Sequence, residues 1–117
     1  KILTWHENFD LPDFMIHIKN TVNAKVDIAS SGLTFLELGP PKVNKATALT
    51  KLTMRLNIRA EDTWAFGDEQ NDIEMLKWAG CSYAMENAES SVKEAADFIA
   101  PSNDEDGVAA TLENLFN

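Results

Sequence analysis

The stretch Trp64-Ala65-Phe66-Gly67-Asp68-Glu69-Gln70-Asn71-Asp72 restricts the fold of this chain more than any other. An apolar run from Thr63 to Phe66 stops at Gly67 and gives way to acids and amides. Ile73, Met75, Leu76, Trp78 and Ala79 follow at helical spacing. That order reads as a buried strand, a tight loop carrying carboxylates, and a helix. In open α/β sheets the loops at the carboxyl ends of strands are where ligands bind. Two carboxylates there suit a hard cation such as Mg²⁺, which takes oxygen ligands and keeps several waters. Asp and Asn are also ordinary turn and cap residues. Two readings of Asp72 therefore stand: cap of a helix starting at Ile73, or acid of a cation site.

Charge sharpens the question. The 117 residues hold 19 acids against 10 Lys and Arg, a net charge of −9. A surface that acidic repels a phosphate backbone, which argues against nucleic acid as a partner. An anionic ligand then needs a locally positive pocket, from a lysine, a metal or helix N-termini. Hydrophobic residues at 44% and charged residues at 25% are ordinary for a globular chain. Cys81 alone forms no disulfide within the chain and belongs to no zinc ligand set; it reads as a small buried hydrophobe. No apolar run approaches the roughly 20 residues that span a bilayer, so no membrane partner is expected. No signal peptide is visible, and the chain starts at Lys1 without Met.

Residues 1 to 38 read as strand, helix, strand, strand. The strand is Ile2 to Trp5, and the helix lies between Asp10 and Asn23 with Asp10 as cap and Pro12 in the first turn. Val26 to Ser30 and Leu33 to Leu38 are strands joined by a Ser31-Gly32 turn. Gly39-Pro40-Pro41 breaks the pattern. A helix is expected from Asn44 to Leu56 with Ala46, Leu49, Leu52 and Leu56 on one face. Beyond the acidic loop, Gly80 stands where a helix C-cap glycine would. Ser82 to Met85 is a strand, Glu89 to Ala96 a helix, Phe98 to Ala100 a strand, and Val108 to Leu115 a last helix. Alternating helices and strands mean a parallel sheet. The expected class is α/β, with an α+β piece at 1–40 and a Rossmann-like piece at 41–117.

Four blocks in order carry a family resemblance. Val43-Asn44-Lys45-Ala46 with Ala48-Leu49 is similar to a "V(N/S/D)KG.AL" element, although Ala46 stands where that element usually has Gly. Phe66-Gly67-Asp68-Glu69-Gln70-Asn71-Asp72 with Met75-Leu76 is similar to "GD..ND..ML". Ala79-Gly80 and Ala84-Met85-Glu86-Asn87-Ala88 are similar to "AG...AM.NA", and Asp106-Gly107-Val108 to a closing "DGV". Together they resemble the haloacid dehalogenase-like hydrolases, specifically the Cof-type sugar-phosphate phosphatases. The resemblance implies the C-terminal half of a haloacid dehalogenase-like core preceded by part of an α+β cap. The family's "D.DGT" element, which supplies the nucleophile and the general acid–base, has no counterpart here.

In that family phosphate monoesters are cleaved through an aspartyl-phosphate, with Mg²⁺ as Lewis acid and template. The resemblance implies Asp68 as metal ligand and Asp72 as a second acid on the metal or its waters. It implies that Asn71 binds phosphate or holds the loop, and that the Lys45 ammonium offsets phosphate charge and restrains the nucleophile. Lys45 as a solvated first-turn residue, and Lys42 in its role, remain open. Asn87 reads as phosphate-side or structural, and Glu69 and Gln70 as solvated. His6 and His17 read as surface histidines. Trp5, Trp64 and Trp78 read as core or interface rings, Trp5 also as a candidate substrate contact.

The leading expectation is a cytoplasmic Mg²⁺-dependent phosphatase of small phosphorylated metabolites, inactive in this portion alone. The strand ending at Asp68 would lack its neighbour, so self-association or pairing with the missing part is expected. A non-catalytic α/β interaction module and a phosphomutase of the same superfamily are the rivals.

Overall fold

The computed structural model describes residues 2–7, 10–22, 25–31 and 35–117. They fall into two compact units, Lys1–Val43 and Asn44–Asn117.

In the first unit, strand β1 (Ile2–Thr4) is followed by helix α1 (Leu11–Thr21) and strands β2 (Asp27–Ser31) and β3 (Phe35–Gly39). The antiparallel sheet has the order β1-β3-β2, with Leu38 paired to both Ile2 and Ile28. Asp10 caps α1 by accepting from the Asp13 N–H at 3.0 Å, and Pro12 sits in the first turn, where its missing N–H costs nothing. Phe14 and Leu36 form the buried centre. Ser31 ends β2, and the expected turn residue Gly32 lies outside the described residues, as do Asn23 and Leu33 at the expected element ends. Trp5 is no core ring: it is 62% exposed and meets Phe35 edge-on.

The second unit opens with α2 (Lys45–Leu56). Asn44 and Thr47 cap it reciprocally, each side chain accepting the other's backbone N–H. Asn57 closes it in the left-handed conformation at φ 55°, while the Ile58 N–H reaches the Thr53 carbonyl. The buried stripe of α2 is not the expected leucine face. Ala46 and Thr53 are buried, whereas Leu52 and Leu56 are exposed. Thr53 tolerates burial because its hydroxyl donates to the Leu49 carbonyl at 2.9 Å.

Strands β4 (Trp64–Gly67), β5 (Cys81–Met85) and β6 (Phe98–Ala100) form a parallel sheet in that order. Helix α3 (Ile73–Trp78) links the first two strands and short α4 (Ser90–Lys93) the next two; α5 (Gly107–Phe116) ends the unit. Ala65 and Ala84 bury one sheet face against Leu76, Ala88 and Val92. On the other face Phe66, Tyr83 and Phe98 stand in register and stack at 5.0 and 5.2 Å between ring centroids. Trp64 extends that row onto Phe116 of α5, at 5.5 Å. Cys81 is only partly buried and packs beside Tyr83.

Two local expectations change. Helix α4 stops four residues in because Asp97 turns the chain toward β6. Its carboxylate accepts from both the Ser82 N–H and hydroxyl at 2.9 Å, and its own N–H donates back to Ser82. Gly80 is not a left-handed cap. It is glycine because a Cβ there would run into the Glu61 backbone, while its N–H donates to the Ala60 carbonyl at 2.9 Å. Arg59 clips the same turn by donating to both Asp62 oxygens at 2.8 and 3.0 Å, which holds the Asp62 carboxyl below its ordinary range.

Leu76 is 1% exposed and Leu52 50%. Leu76→Ala is expected to cost about 2–5 kcal/mol in urea unfolding, and Leu52→Ala less than about 0.5 kcal/mol. Equal costs would contradict this assignment of the core.

Candidate functional site

The parallel sheet ends in three loops on one rim, beginning after Gly67, Met85 and Ala100. Buried polar groups there need partners, and Asp72 has the most demanding requirement. Its side chain is 4% exposed, and Lys45 Nζ forms an ion pair with its Oδ1. Its Oδ2 accepts from the backbone N–H of Asp68 and of Glu69, each at 3.2 Å. Asp72 therefore reaches back into its own loop. Its side chain does not cap α3, which excludes the simplest of the two readings. The loop can wrap this closely because Gly67 has no side chain: a Cβ there would lie 2.5 Å from the Asp72 Cβ.

The other site candidates sit around this clasp. Lys45 is the first residue of α2, and its ammonium also lies 3.5 Å from Asn71 Oδ1, at the limit of a hydrogen bond. Half of the Lys45 side chain is exposed, so the ammonium keeps donors for a further anion. Asp68, half-buried, accepts from Asn103 Nδ2 at its Oδ2, 2.8 Å away. Its Oδ1 accepts from no group among the described residues. Asn103 was not found from the sequence, although it lies in the loop that follows β6, as Asp68 lies in the loop that follows β4. Asn87 holds the Asn103 N–H at 2.9 Å. Gln70 is more than a solvated residue: its amide donates to Glu89 at 2.8 Å and Ser91 at 2.6 Å, tying the first loop to the second.

Lys45, Asn71 and Asp72 are thus brought into mutual contact, with Asp68 linked through its N–H. Among the described residues no group of three or more His, Cys, Asp or Glu side chains converges. The donor set nonetheless fits Mg²⁺ rather than a softer metal. It offers a carboxylate oxygen with no competing donor, and Mg²⁺ accepts one or two carboxylates with water and substrate oxygens completing its shell. With Lys45 cancelling Asp72, the unbalanced charge is that of Asp68.

A model of the haloacid dehalogenase-like hydrolases matches residues 1–112. The chain belongs to that family. It is 40% identical to the Bacillus subtilis 5-amino-6-(5-phospho-D-ribitylamino)uracil phosphatase YcsE, over 96% of this chain and 48% of that protein. It is 41% identical to YwtE of the same organism, also a 5-amino-6-(5-phospho-D-ribitylamino)uracil phosphatase, over 80% of this chain and 32% of that protein. Among solved structures, a haloacid dehalogenase-like hydrolase from Bacteroides thetaiotaomicron superposes with a TM-score of 0.80 at 36% identity, covering 97% of this chain and 43% of the other. The subclass IIB sugar phosphatase BT4131 gives 0.82 at 26% identity, over 92% and 41%. The chain therefore spans about half or less of the length of these haloacid dehalogenase-like relatives. Among the described residues no helix is long and apolar enough to cross a membrane.

The Asp72 clasp makes a stability prediction. Asp72→Asn places an amide N–H₂ against either the Lys45 ammonium or the loop N–H groups. It is expected to cost about 1–3 kcal/mol in urea unfolding. Lys45→Met should cost at least as much, because it leaves the buried Asp72 carboxylate without its counter-charge. An unchanged midpoint for Asp72→Asn would contradict the clasp.

Proposed function

We propose that this chain provides the Asp68–Lys45 side of an Mg²⁺-dependent phosphatase site that hydrolyses small phosphate monoesters. The observation that carries this is that Asp68, with one carboxylate oxygen unengaged among the described residues, and Lys45, with a half-exposed side chain, are both bound to the Asp72 carboxylate beyond the end of β4. Asp68 would hold the cation, and Asp72 would set the Asp68 backbone and the Lys45 ammonium rather than ligate first. Lys45 and Asn71 would orient a phosphoryl oxygen, the ammonium as a point charge and the amide as a hydrogen-bonding partner. Bound Mg²⁺ would supply Lewis-acid polarisation of the phosphoryl group.

The charges support this reading. Asp68, Asp72 and Lys45 sum to one negative charge, which attracts a dication; with the dication bound, the sum turns positive and favours a phosphate. A chain of net charge −9 thereby acquires a local anion site. The attacking carboxylate would come from chain outside these residues, in keeping with the share of its relatives' length that the chain spans. Three curated relatives act on 5-amino-6-(5-phospho-D-ribitylamino)uracil, so a phosphorylated polyol or sugar is the first substrate class to try. The relatives' hydrolytic activities favour a phosphatase over a mutase, and we place the protein in the cytoplasm with its small-metabolite substrate.

Assays with p-nitrophenyl phosphate and Mg²⁺ test the proposal. The 117-residue chain alone should show no turnover. The product of the full coding sequence should turn over, and Asp68→Ala should lower its rate about a hundredfold or more. Turnover by the chain alone that vanishes in Asp68→Ala would overturn the need for a second part. Full-length turnover indifferent to Asp68→Ala would overturn the site.

Strand β4 lies at an edge of its sheet among the described residues. An unpaired apolar edge recruits another strand, from the rest of the protein or from a second copy. Light scattering of the 117-residue chain should therefore show dimers or larger species; a monodisperse monomer would count against it.

A further inference from the structure

Three strand ends converge on the Asp68 carboxylate. The loop after β4 holds its backbone, since the Asp68 N–H donates to Asp72 at 3.2 Å. The loop after β6 holds its side chain, since Asn103 Nδ2 donates to its Oδ2 at 2.8 Å. The loop after β5 holds Asn103 in turn, since Asn87 Oδ1 accepts the Asn103 N–H at 2.9 Å. We propose that Asn103 is a positioning residue that fixes one oxygen of Asp68 so that the other faces a divalent cation. Asn87 sets Asn103 for that task.

The turn that carries Asn103 is built to be stiff. The Glu105 and Gly107 N–H groups both donate to the Ser102 carbonyl at 3.1 Å. The Ser102 hydroxyl and N–H reach the Glu105 carboxylate at 3.2 and 3.4 Å. Asp106 adopts a left-handed φ of 51°, and Gly107 packs so closely on the Pro101 carbonyl that a Cβ would collide with it. An amide on such a turn approaches Asp68 from a set direction. Its chemistry also suits the task. A lysine or arginine there would neutralise the carboxylate and compete with a cation, whereas a neutral amide orients the oxygen and leaves its charge available. Asn103 is exposed, so a bond made there adds little to folding. Orientation of a metal-binding carboxylate by an outer hydrogen-bond partner commonly changes metal affinity ten- to a hundredfold.

This role rests on the reading of Asp68 as the cation's ligand, and one experiment separates the two. The product of the full coding sequence is titrated with Mn²⁺, as a probe for the Mg²⁺ site, by the loss of the free-ion paramagnetic resonance signal. Asn103→Ala and Asn103→Leu, the second keeping the side chain's shape, should each raise the Mn²⁺ dissociation constant about tenfold or more. The Mg²⁺ concentration for half-maximal p-nitrophenyl phosphate turnover should rise in step, with KM at saturating metal and the thermal midpoint little changed. Asn87→Ala should shift the Mn²⁺ constant in the same direction by less. If either Asn103 variant folds and binds Mn²⁺ within twofold of the parent, the role is overturned. A lowered thermal midpoint with unchanged Mn²⁺ affinity overturns it equally, because that is what a purely structural bond would give. If Asp68→Ala leaves Mn²⁺ affinity unchanged, the underlying reading of Asp68 fails instead.

Discussion

A carboxylate taken out of water must have its charge and its lone pairs answered inside the protein, and the candidate site is arranged around the one at Asp72. Its two oxygens take the Lys45 ammonium on one side and two consecutive loop N–H groups on the other. This single requirement joins the first turn of α2 to the loop after β4. It also explains Gly67, whose missing side chain lets the loop close on the Asp72 carboxyl. Lys45 near a helix N-terminus opposes the helix dipole; the ion pair with Asp72 offsets that placement. The consequence for function is positional. Asp68 is held by its backbone at the sheet's rim, with Lys45 and Asn71 beside the same clasp.

Much of this arrangement was legible in the sequence because local chemistry marks it. The change from an apolar run to Gly67 and a polar loop, followed by helical periodicity, located β4 and α3. Asp10 marked a helix start because a side chain that accepts a backbone N–H is favoured there, and Asn44 caps α2 in the same way. Features set by distant partners were not legible. The apolar spacing of α2 placed Leu52 and Leu56 inward, but periodicity does not say which neighbour a helix meets, and the buried positions include Thr53. Helix α4 is cut short by a bond between Asp97 and Ser82, fifteen residues apart. Gly80 satisfied the pattern of a helix cap, yet it answers to the Glu61 backbone. Asn103 escaped notice because its significance lies in reaching Asp68 across the rim, 35 residues away in sequence. The sign of a second loop after a parallel strand was present, but only the fold says that the two loops meet.

Within the haloacid dehalogenase-like hydrolases, the division of labour along this rim becomes physically intelligible. One acid is fully satisfied by the protein and acts as scaffold. The other, Asp68, accepts at one oxygen only among the described residues, and on the proposed function its second oxygen would take the cation. Identical residue types four positions apart thus differ in burial and hydrogen bonding, and the proposed function gives them different duties on that ground. On the function proposed here, Asn71 and Asn103 would contribute polarity without charge where an added charge would upset the balance between cation and phosphate.

A crystal structure of the full coding-sequence product grown with Mg²⁺ and inorganic phosphate would test this account most directly. The account predicts a cation about 2.0–2.1 Å from the Asp68 carboxylate, a phosphate oxygen on Lys45, and Asp72 still bound by the loop N–H groups. A cation and phosphate seated away from Asp68 and Lys45, with both side chains turned to separate surfaces, would contradict it.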